Sequence, residues 1–215
     1  MERKKRLASD NLKFFFYLLF AFGVLWHILK ATRRLAEAVT PYILFLGGLL
    51  IILPYVFSGK KRLLLWIIIT MALTLSAEII GVKTGFIFGN YSYGSVLGPK
   101  ILGVPFIIGF NWVVVILGAL SISKNVTPNI YFRAVITAVL AVAFDLFLEP
   151  AAAALNYWNW QGGSVPLQNY AAWFVIALIA AIFYFKIRAE DPGQITTHYF
   201  LAQLGFLFLL NIFLI

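Results

Sequence analysis

The chain has 215 residues, of which 62% are hydrophobic and 12% charged, with a mean hydropathy of +0.93 and a formal net charge of +9. A water-soluble domain carries about a quarter charged residues, so this surplus of apolar surface calls for lipid as its solvent and excludes an ordinary soluble globule. Cysteine is absent, which rules out disulfides and thiolate metal sites. The basic residues stand in short runs between apolar stretches, a pattern of topology determinants and anionic-lipid contacts that argues against a nucleic-acid partner.

Seven apolar segments are long enough to span a bilayer or nearly so, at residues 11–29, 41–57, 63–81, 104–123, 131–155, 171–187 and 199–215. The expected fold is therefore all-α, a polytopic transmembrane bundle of about seven spans in one integral-membrane domain, 1–215, with no linker or low-complexity tract dividing it. The first segment has the basic start of a secretory signal, and Ala36-Glu37-Ala38 is a weak cleavage candidate. The pair Arg33-Arg34 intervenes, and the pattern favours a retained signal-anchor helix.

With seven spans, one face receives the N-terminus and the second, fourth and sixth loops. It holds twelve basic residues: Arg3, Lys4, Lys5, Arg6, Lys13, Lys60, Lys61, Arg62, Lys124, Arg133, Lys186 and Arg188. The other face holds five: Lys30, Arg33, Arg34, Lys83 and Lys100. The positive-inside rule then places the N-terminus in the cytoplasm and the C-terminus outside, although the first loop runs against the bias.

This topology puts two unusual loops, 82–103 and 156–170, on the same outer face. The first contains Thr84-Gly85-Phe86-Ile87-Phe88-Gly89-Asn90-Tyr91-Ser92-Tyr93-Gly94, the second Tyr157-Trp158-Asn159-Trp160-Gln161-Gly162-Gly163-Ser164-Val165-Pro166. Neither has the charge of a solvated loop, so both are expected to lie in the interface or to re-enter over the bundle. An interfacial aromatic belt is the ordinary alternative, but it leaves the glycines and prolines unexplained. The two hairpins also share a leading acid (Glu78, Glu149), a paired aromatic, a Val-Pro and an Asn with a Trp. Their spacings differ, which fits coincidence better than a repeat.

Three carboxylic residues fall inside or at the end of apolar segments: Glu78, Asp145 and Glu149. Inserting an ionised carboxylate in a bilayer costs roughly 2–3 kcal/mol on insertion scales, which marks such residues as functional candidates. The structural alternative is a paired or capping acid. Few bases are at hand for that: Lys83 is about one turn beyond Glu78, and Arg133 is at the far end of its helix. Asp145 and Glu149 are four apart and share a helix face, and Pro150 follows, removing a helical N–H. Two carboxyls this close in a low dielectric do not both ionise, which sets a proton donor beside a possible base.

Other chemistries fit poorly. His27 and His198 are far apart, so neither a histidine metal site nor a triad is indicated. There is no aspartate-rich diphosphate motif, P-loop or dinucleotide fingerprint. What remains is a lipid-accessible pocket of acids, aromatic rings and amides (Asn90, Asn111, Asn169). A carboxylic acid in such a pocket can protonate an alkene, and aromatic faces stabilise the resulting carbocation. Water then traps it, with neither metal nor cofactor required.

These residues carry a resemblance. The order Glu78-x-x-Gly81-x-x-Thr84-Gly85-x-x-Phe88-Gly89-x-Tyr91-x-Tyr93, Leu97-Gly98-Pro99, Gly103-Val104-Pro105, Asn111-Trp112, Asp145, Glu149-Pro150, Trp158-x-Trp160, Val165-Pro166-Leu167, Asn169 and Trp173 resembles the integral-membrane carotenoid biosynthesis family. That family includes the carotenoid 1,2-hydratases, among them bisanhydrobacterioruberin hydratases. The match covers about the middle half of the chain. It departs at Glu149, where the family often has Asp, and at Ala172, where Gly is expected. Both departures bear on substrate preference. The resemblance implies hydration of the terminal double bond of a linear, ψ-ended carotenoid such as lycopene or γ-carotene, with protonation at C2 and water addition at C1.

On this reading Asp145, Glu149 and Glu78 are the acid–base set. Tyr91, Tyr93, Trp112, Trp158, Trp160 and Trp173 line the pocket, and Asn111 and Asn169 orient water or a carboxyl. The expected partners are the carotenoid and membrane lipids, with a second pathway enzyme left open. A carotenoid cyclase or isomerase using the same acids, and a membrane transporter or lipid-binding protein, remain alternatives.

Overall fold

The computed structural model describes residues 2–214, with side chains from residue 10 onward. The orientation charges Arg3, Lys4, Lys5 and Arg6 thus have side chains outside the described part. Seven helices follow one another: α1 (Glu2–Ile28), α2 (Arg33–Phe57), α3 (Lys61–Thr84), α4 (Phe106–Val126), α5 (Ile130–Ala154), α6 (Leu167–Lys186) and α7 (Gln194–Leu214). Each is long and apolar enough to cross a membrane. Four short strands lie between them: β1 (Tyr91–Tyr93), β2 (Lys100–Ile101), β3 (Val104–Pro105) and β4 (Trp158–Trp160).

The expected spans are all present, but α2 begins at Arg33 and α7 at Gln194, well before the apolar runs at 41 and 199. Those first turns are polar yet helical because their side chains find partners. Thr40 Oγ1 donates to the Ala36 carbonyl (2.8 Å), Thr196 Oγ1 to Gly193 O (2.7 Å) and Thr197 Oγ1 to Ser121 Oγ (2.8 Å).

α4 is the axis of the bundle. Its apolar window is 78% buried within the protein, against 22–39% for the other six. Lipid and helix interior are equally apolar, so inter-helix hydrogen bonds and close backbone approach must supply specificity. Both are present. Thr74 Oγ1 donates to Gly109 O (3.2 Å), Gln203 Nε2 to Asn111 Oδ1 (2.7 Å), Thr137 Oγ1 to Ser123 Oγ (3.2 Å), and Trp66 Nε1 to Ala180 O (2.8 Å). At Gly118 the α4 backbone lies against α7, where a Cβ would sit 2.5 Å from Phe200 Cβ and 2.9 Å from Thr196 O.

Both ends are closed by specific chain reversals. α5 ends with Asn156 in the left-handed region (φ 55°); its N–H goes to Ala153 O (3.2 Å) and that of Tyr157 to Ala152 O (2.9 Å). That is the paired bonding by which a helix end satisfies its last carbonyls. The turn between α6 and α7 at the opposite end is fastened to three helices. Glu190 Oε2 caps α3 at Leu63 N (2.7 Å), Tyr184 donates to Glu190 O (3.1 Å), Tyr55 donates to Pro192 O, and Asp191 pairs with Lys124. Burial would raise the Asp191 carboxyl, but Lys124 and the Gly193 N–H hold it below the usual carboxylate range.

The loops at residues 85–105 and 155–166 meet over the other end. Their inward side chains, Phe88, Tyr91, Leu97, Tyr157 and Trp158, are buried in the core. β1 and β4 pair antiparallel, with Tyr91 opposite Trp160, Ser92 opposite Asn159 and Tyr93 opposite Trp158. β2 and β3 form a tight hairpin through Leu102 and Gly103, both at positive φ.

Gly118→Ala is expected to wedge α4 from α7 and destabilise the protein by about 1–3 kcal/mol, the usual cost of overpacking. A lowered unfolding midpoint in detergent checks this. Gly162→Ala, at a position with nothing near the missing Cβ, serves as the neutral control.

Candidate active site

The site is built by two helix ends and a two-stranded ribbon. Glu78 is about two turns from the end of α3, and Asp145 and Glu149 lie one turn apart on α5. All three are buried, at 4%, 1% and 3% exposure. The strand period of two explains the paired aromatics. In β1, Tyr91 and Tyr93 face inward and Ser92 outward; in β4, Trp158 and Trp160 face inward and Asn159 outward.

Each pair serves the acid that precedes it in the chain. Tyr91 and Tyr93 both donate to Glu78 Oε2, Tyr93 at 2.7 Å. Trp158 and Trp160 Nε1 both donate to Glu149 Oε2 at 2.8 Å. Asn169, on the first turn of α6, joins the two α5 acids, its Nδ2 lying 2.7 Å from Asp145 Oδ2 and 3.1 Å from Glu149 Oε1. Glu149 thus accepts N–H bonds at both oxygens, whereas Asp145 Oδ1 accepts none among the described residues. Burial, then the nearby Glu78 carboxyl, pushes both phenols well above the ordinary tyrosine range, so Tyr91 and Tyr93 remain hydrogen-bond donors. Among the described residues no lysine or arginine forms an ion pair with any of the three acids.

The resemblance between the two outer hairpins is therefore structural. Acid, aromatic pair and antiparallel strand recur in both, and the two units face each other across the site. The spacing from acid to aromatic pair differs because the loop after α3 is longer, which keeps the two stretches from aligning residue by residue in the sequence.

Aromatic rings complete the walls. Trp112 stacks on Trp173 with centroids 3.6 Å apart and a 19° interplanar angle, and Phe88 also stacks on Trp173 at 5.0 Å. Tyr91 lies 4.9 Å from Trp160. The enclosed cavity is lined by the three acids, Tyr91, Tyr93, Trp112, Trp158, Trp160, Asn169 and Trp173, together with Ile108 and Leu148. Its volume is about 10 Å³, room for one water and no more.

Ten of the eleven candidate residues thus converge on one cavity. The exception is Asn111, whose Oδ1 is taken by Gln203 of α7. It follows one residue before Trp112, and a step of one residue turns about 100° around a helix, away from the acids. Ile108 and Leu148 carry no chemistry of their own. Their only signal is position, four residues from Trp112 and three from Asp145, one helical turn along the same faces. Among the described residues no group of three or more His, Asp or Glu side chains is arranged to hold a metal ion.

A family model described as "Carotenoid biosynthesis protein" matches residues 39–215. A bisanhydrobacterioruberin hydratase from Haloarcula japonica is 28% identical over 187 residues, 77% of this chain and 64% of that protein. The chain therefore spans a little under two thirds of the length of that relative. No solved structure matches the chain.

Trp158→Phe and Trp160→Phe each remove one N–H from a buried carboxylate while keeping a ring. Each is expected to lower stability by about 1–3 kcal/mol, the cost of losing a bond to a charged or buried acceptor. Thermal unfolding in detergent checks this, with Asn159→Ala on the exposed edge as the neutral comparison.

Proposed function

The chain belongs to the carotenoid biosynthesis protein family, and on that premise we propose that it is a carotenoid hydratase, adding water across the C1–C2 double bond at the end of a linear, ψ-ended carotenoid such as lycopene or γ-carotene. The observation that carries this reading is a buried carboxyl pair beside a one-water cavity, under walls of indole and phenol rings.

The chemistry needs a proton, a way to bear positive charge, and one water. Asp145 is the proton donor, since Glu149 has both oxygens committed to N–H groups and Asp145 keeps Oδ1 free. Two carboxyls this close share one proton, and only Asp145 has an oxygen free to present it to the cavity. Transfer of that proton to C2 breaks the π bond and leaves a tertiary cation at C1. The faces of Trp112 and Trp160 and the negative charge of Glu149 stabilise it. Water attacks C1, and its surplus proton returns to Asp145. The net change is alkene plus water to tertiary alcohol, and the enzyme is regenerated. Glu78, with its two phenols, forms the far wall and positions the water.

The cavity as it stands holds the water but not an isoprenoid end. Binding therefore requires the β1–β4 ribbon or the aromatic walls to move. The orientation that suits this function has the basic end in the cytoplasm and the acid site at the outer leaflet, where hydrocarbon from the lipid meets water. A cyclase would begin with the same protonation, and the mass of the product separates the two.

Expression in a lycopene-producing host, with pigments analysed by mass, is expected to give a product one water heavier than the substrate. Asp145→Asn is expected to reduce conversion by at least about 100-fold, the lower end of acid–base contributions, with the protein still inserted. Glu149→Gln follows with a loss of the same order, and Glu78→Gln with a smaller one. A product of unchanged mass would point to cyclisation or isomerisation. Full conversion by Asp145→Asn would remove the assigned proton donor.

A further inference from the structure

A second cavity lies at the opposite, basic end of the bundle, between α4, α5, α6 and the turn after α6. Its volume is about 310 Å³, and its walls include Lys124, Ile130, Arg133, Phe185, Arg188 and Asp191. The charges in it do not balance. Lys124 is paired with Asp191, and Asp191 Oδ1 also accepts the Gly193 N–H at 3.0 Å. Two guanidinium groups remain. That of Arg133 sits over the Phe185 ring, with Cζ 4.8 Å from the centroid, and its Nε is buried without a hydrogen-bond partner. Arg188 makes no ion pair and no side-chain hydrogen bond among the described residues.

The backbone at Arg188 is also unusual. It is the residue that closes α6, at φ 51°, with its N–H on Phe185 O at 3.1 Å and the next N–H on Tyr184 O at 3.1 Å. Glycine or asparagine ordinarily fills that position, as Gly59 and Asn156 do after α2 and α5. An arginine held in this conformation, beside a second unpaired arginine, is an arrangement that an anion would satisfy.

Continuous with this cavity is an apolar groove of about 230 Å³ between α5 and α6. It shares Ile130 and Phe185 with the basic cavity and extends over Ala134 and Ile182. Its walls include exposed side chains, Ile182 at 51% and Tyr131 at 77%, on helices that face lipid. A charged pocket joined to an apolar groove matches a molecule with a charged head and a hydrocarbon tail.

We propose that this end of the protein is a binding site for an anionic glycerophospholipid. Arg133 and Arg188 take the phosphate, and one acyl chain lies in the groove between α5 and α6. The groove favours a lipid over free phosphate. The unpaired cations, Arg133, Arg188 and the exposed Lys186, favour an anionic headgroup over a zwitterionic one, whose own cation they would repel. The proposal is independent of the acid site at the other end.

The test uses the full chain in detergent micelles, read by native mass spectrometry and by unfolding midpoint. Added phosphatidylglycerol is expected to remain bound and to raise the midpoint. Phosphatidylcholine and inorganic phosphate are expected to do neither at the same concentration. Arg133→Gln and Arg188→Gln should each weaken phosphatidylglycerol binding about fivefold, the contribution of one basic residue at an anionic lipid surface. Ile182→Trp, which fills the groove, should weaken it as well. Arg188 is exposed, so its variant reports even where Arg133→Gln fails to fold. Equal binding of phosphatidylcholine, an equal effect of inorganic phosphate, or undiminished binding in the Arg188 variant would each overturn the proposal.

Discussion

Three carboxyl groups are buried at one end of a membrane bundle, and with no ion pair to any of them among the described residues they must find neutral hydrogen-bond donors inside the protein. Water is scarce there, and leaving such groups bare costs several kcal/mol each. The fold's least regular part follows from this need. Helix backbones cannot supply the donors, because their N–H groups are used internally, and among helix side chains Asn169 of α6 serves Asp145 and one oxygen of Glu149. Side chains aimed back at the helix ends can, and the ribbon of β1 and β4 provides them: two phenols for Glu78, two indoles for Glu149.

The same requirement explains why the ribbon exists at all. Two strands of three residues are not stable on their own. Here the inward face of each strand is anchored by hydrogen bonds to a buried acid, and the ladder is extended at both ends by Gly94 N to Tyr157 O (2.8 Å) and Gln161 N to Asn90 O (3.0 Å). At Gly94 the second loop passes so close that a Cβ would run into the Asn156 carbonyl, so only glycine permits the approach. Charge satisfaction, strand pairing and a small residue at the crossing act as one unit.

Much of this was legible in the sequence. Seven spans, the shared face of the two loops, and the convergence of Glu78, Asp145 and Glu149 follow from hydropathy, parity of the spans and the high cost of a membrane carboxylate. Less visible were the strands. Tyr91-x-Tyr93 and Trp158-x-Trp160 carry a period of two, but three residues are too few to separate a strand from a loop by pattern alone. Asn111 was misplaced because nearness to Trp112 in sequence is not nearness on a helix face. The early starts of α2 and α7 were hidden because polar first turns look like loop when hydropathy is the only guide.

The two ends of the bundle are built on opposite principles, and this bears on how the site works. The basic end is fastened by ties to backbone carbonyls and N–H groups, in a turn held to α2, α3 and α4 at once. At the acid end the ribbon is held largely through the acids themselves. Any movement that admits a hydrocarbon end between Trp112 and Asp145 must displace an aromatic wall, and Trp158, Trp160, Tyr91 and Tyr93 are both wall and donor. Opening at the ribbon therefore also strips donors from Glu78 or Glu149. A lid made of ordinary loop residues would shield the site without this coupling between access and charge.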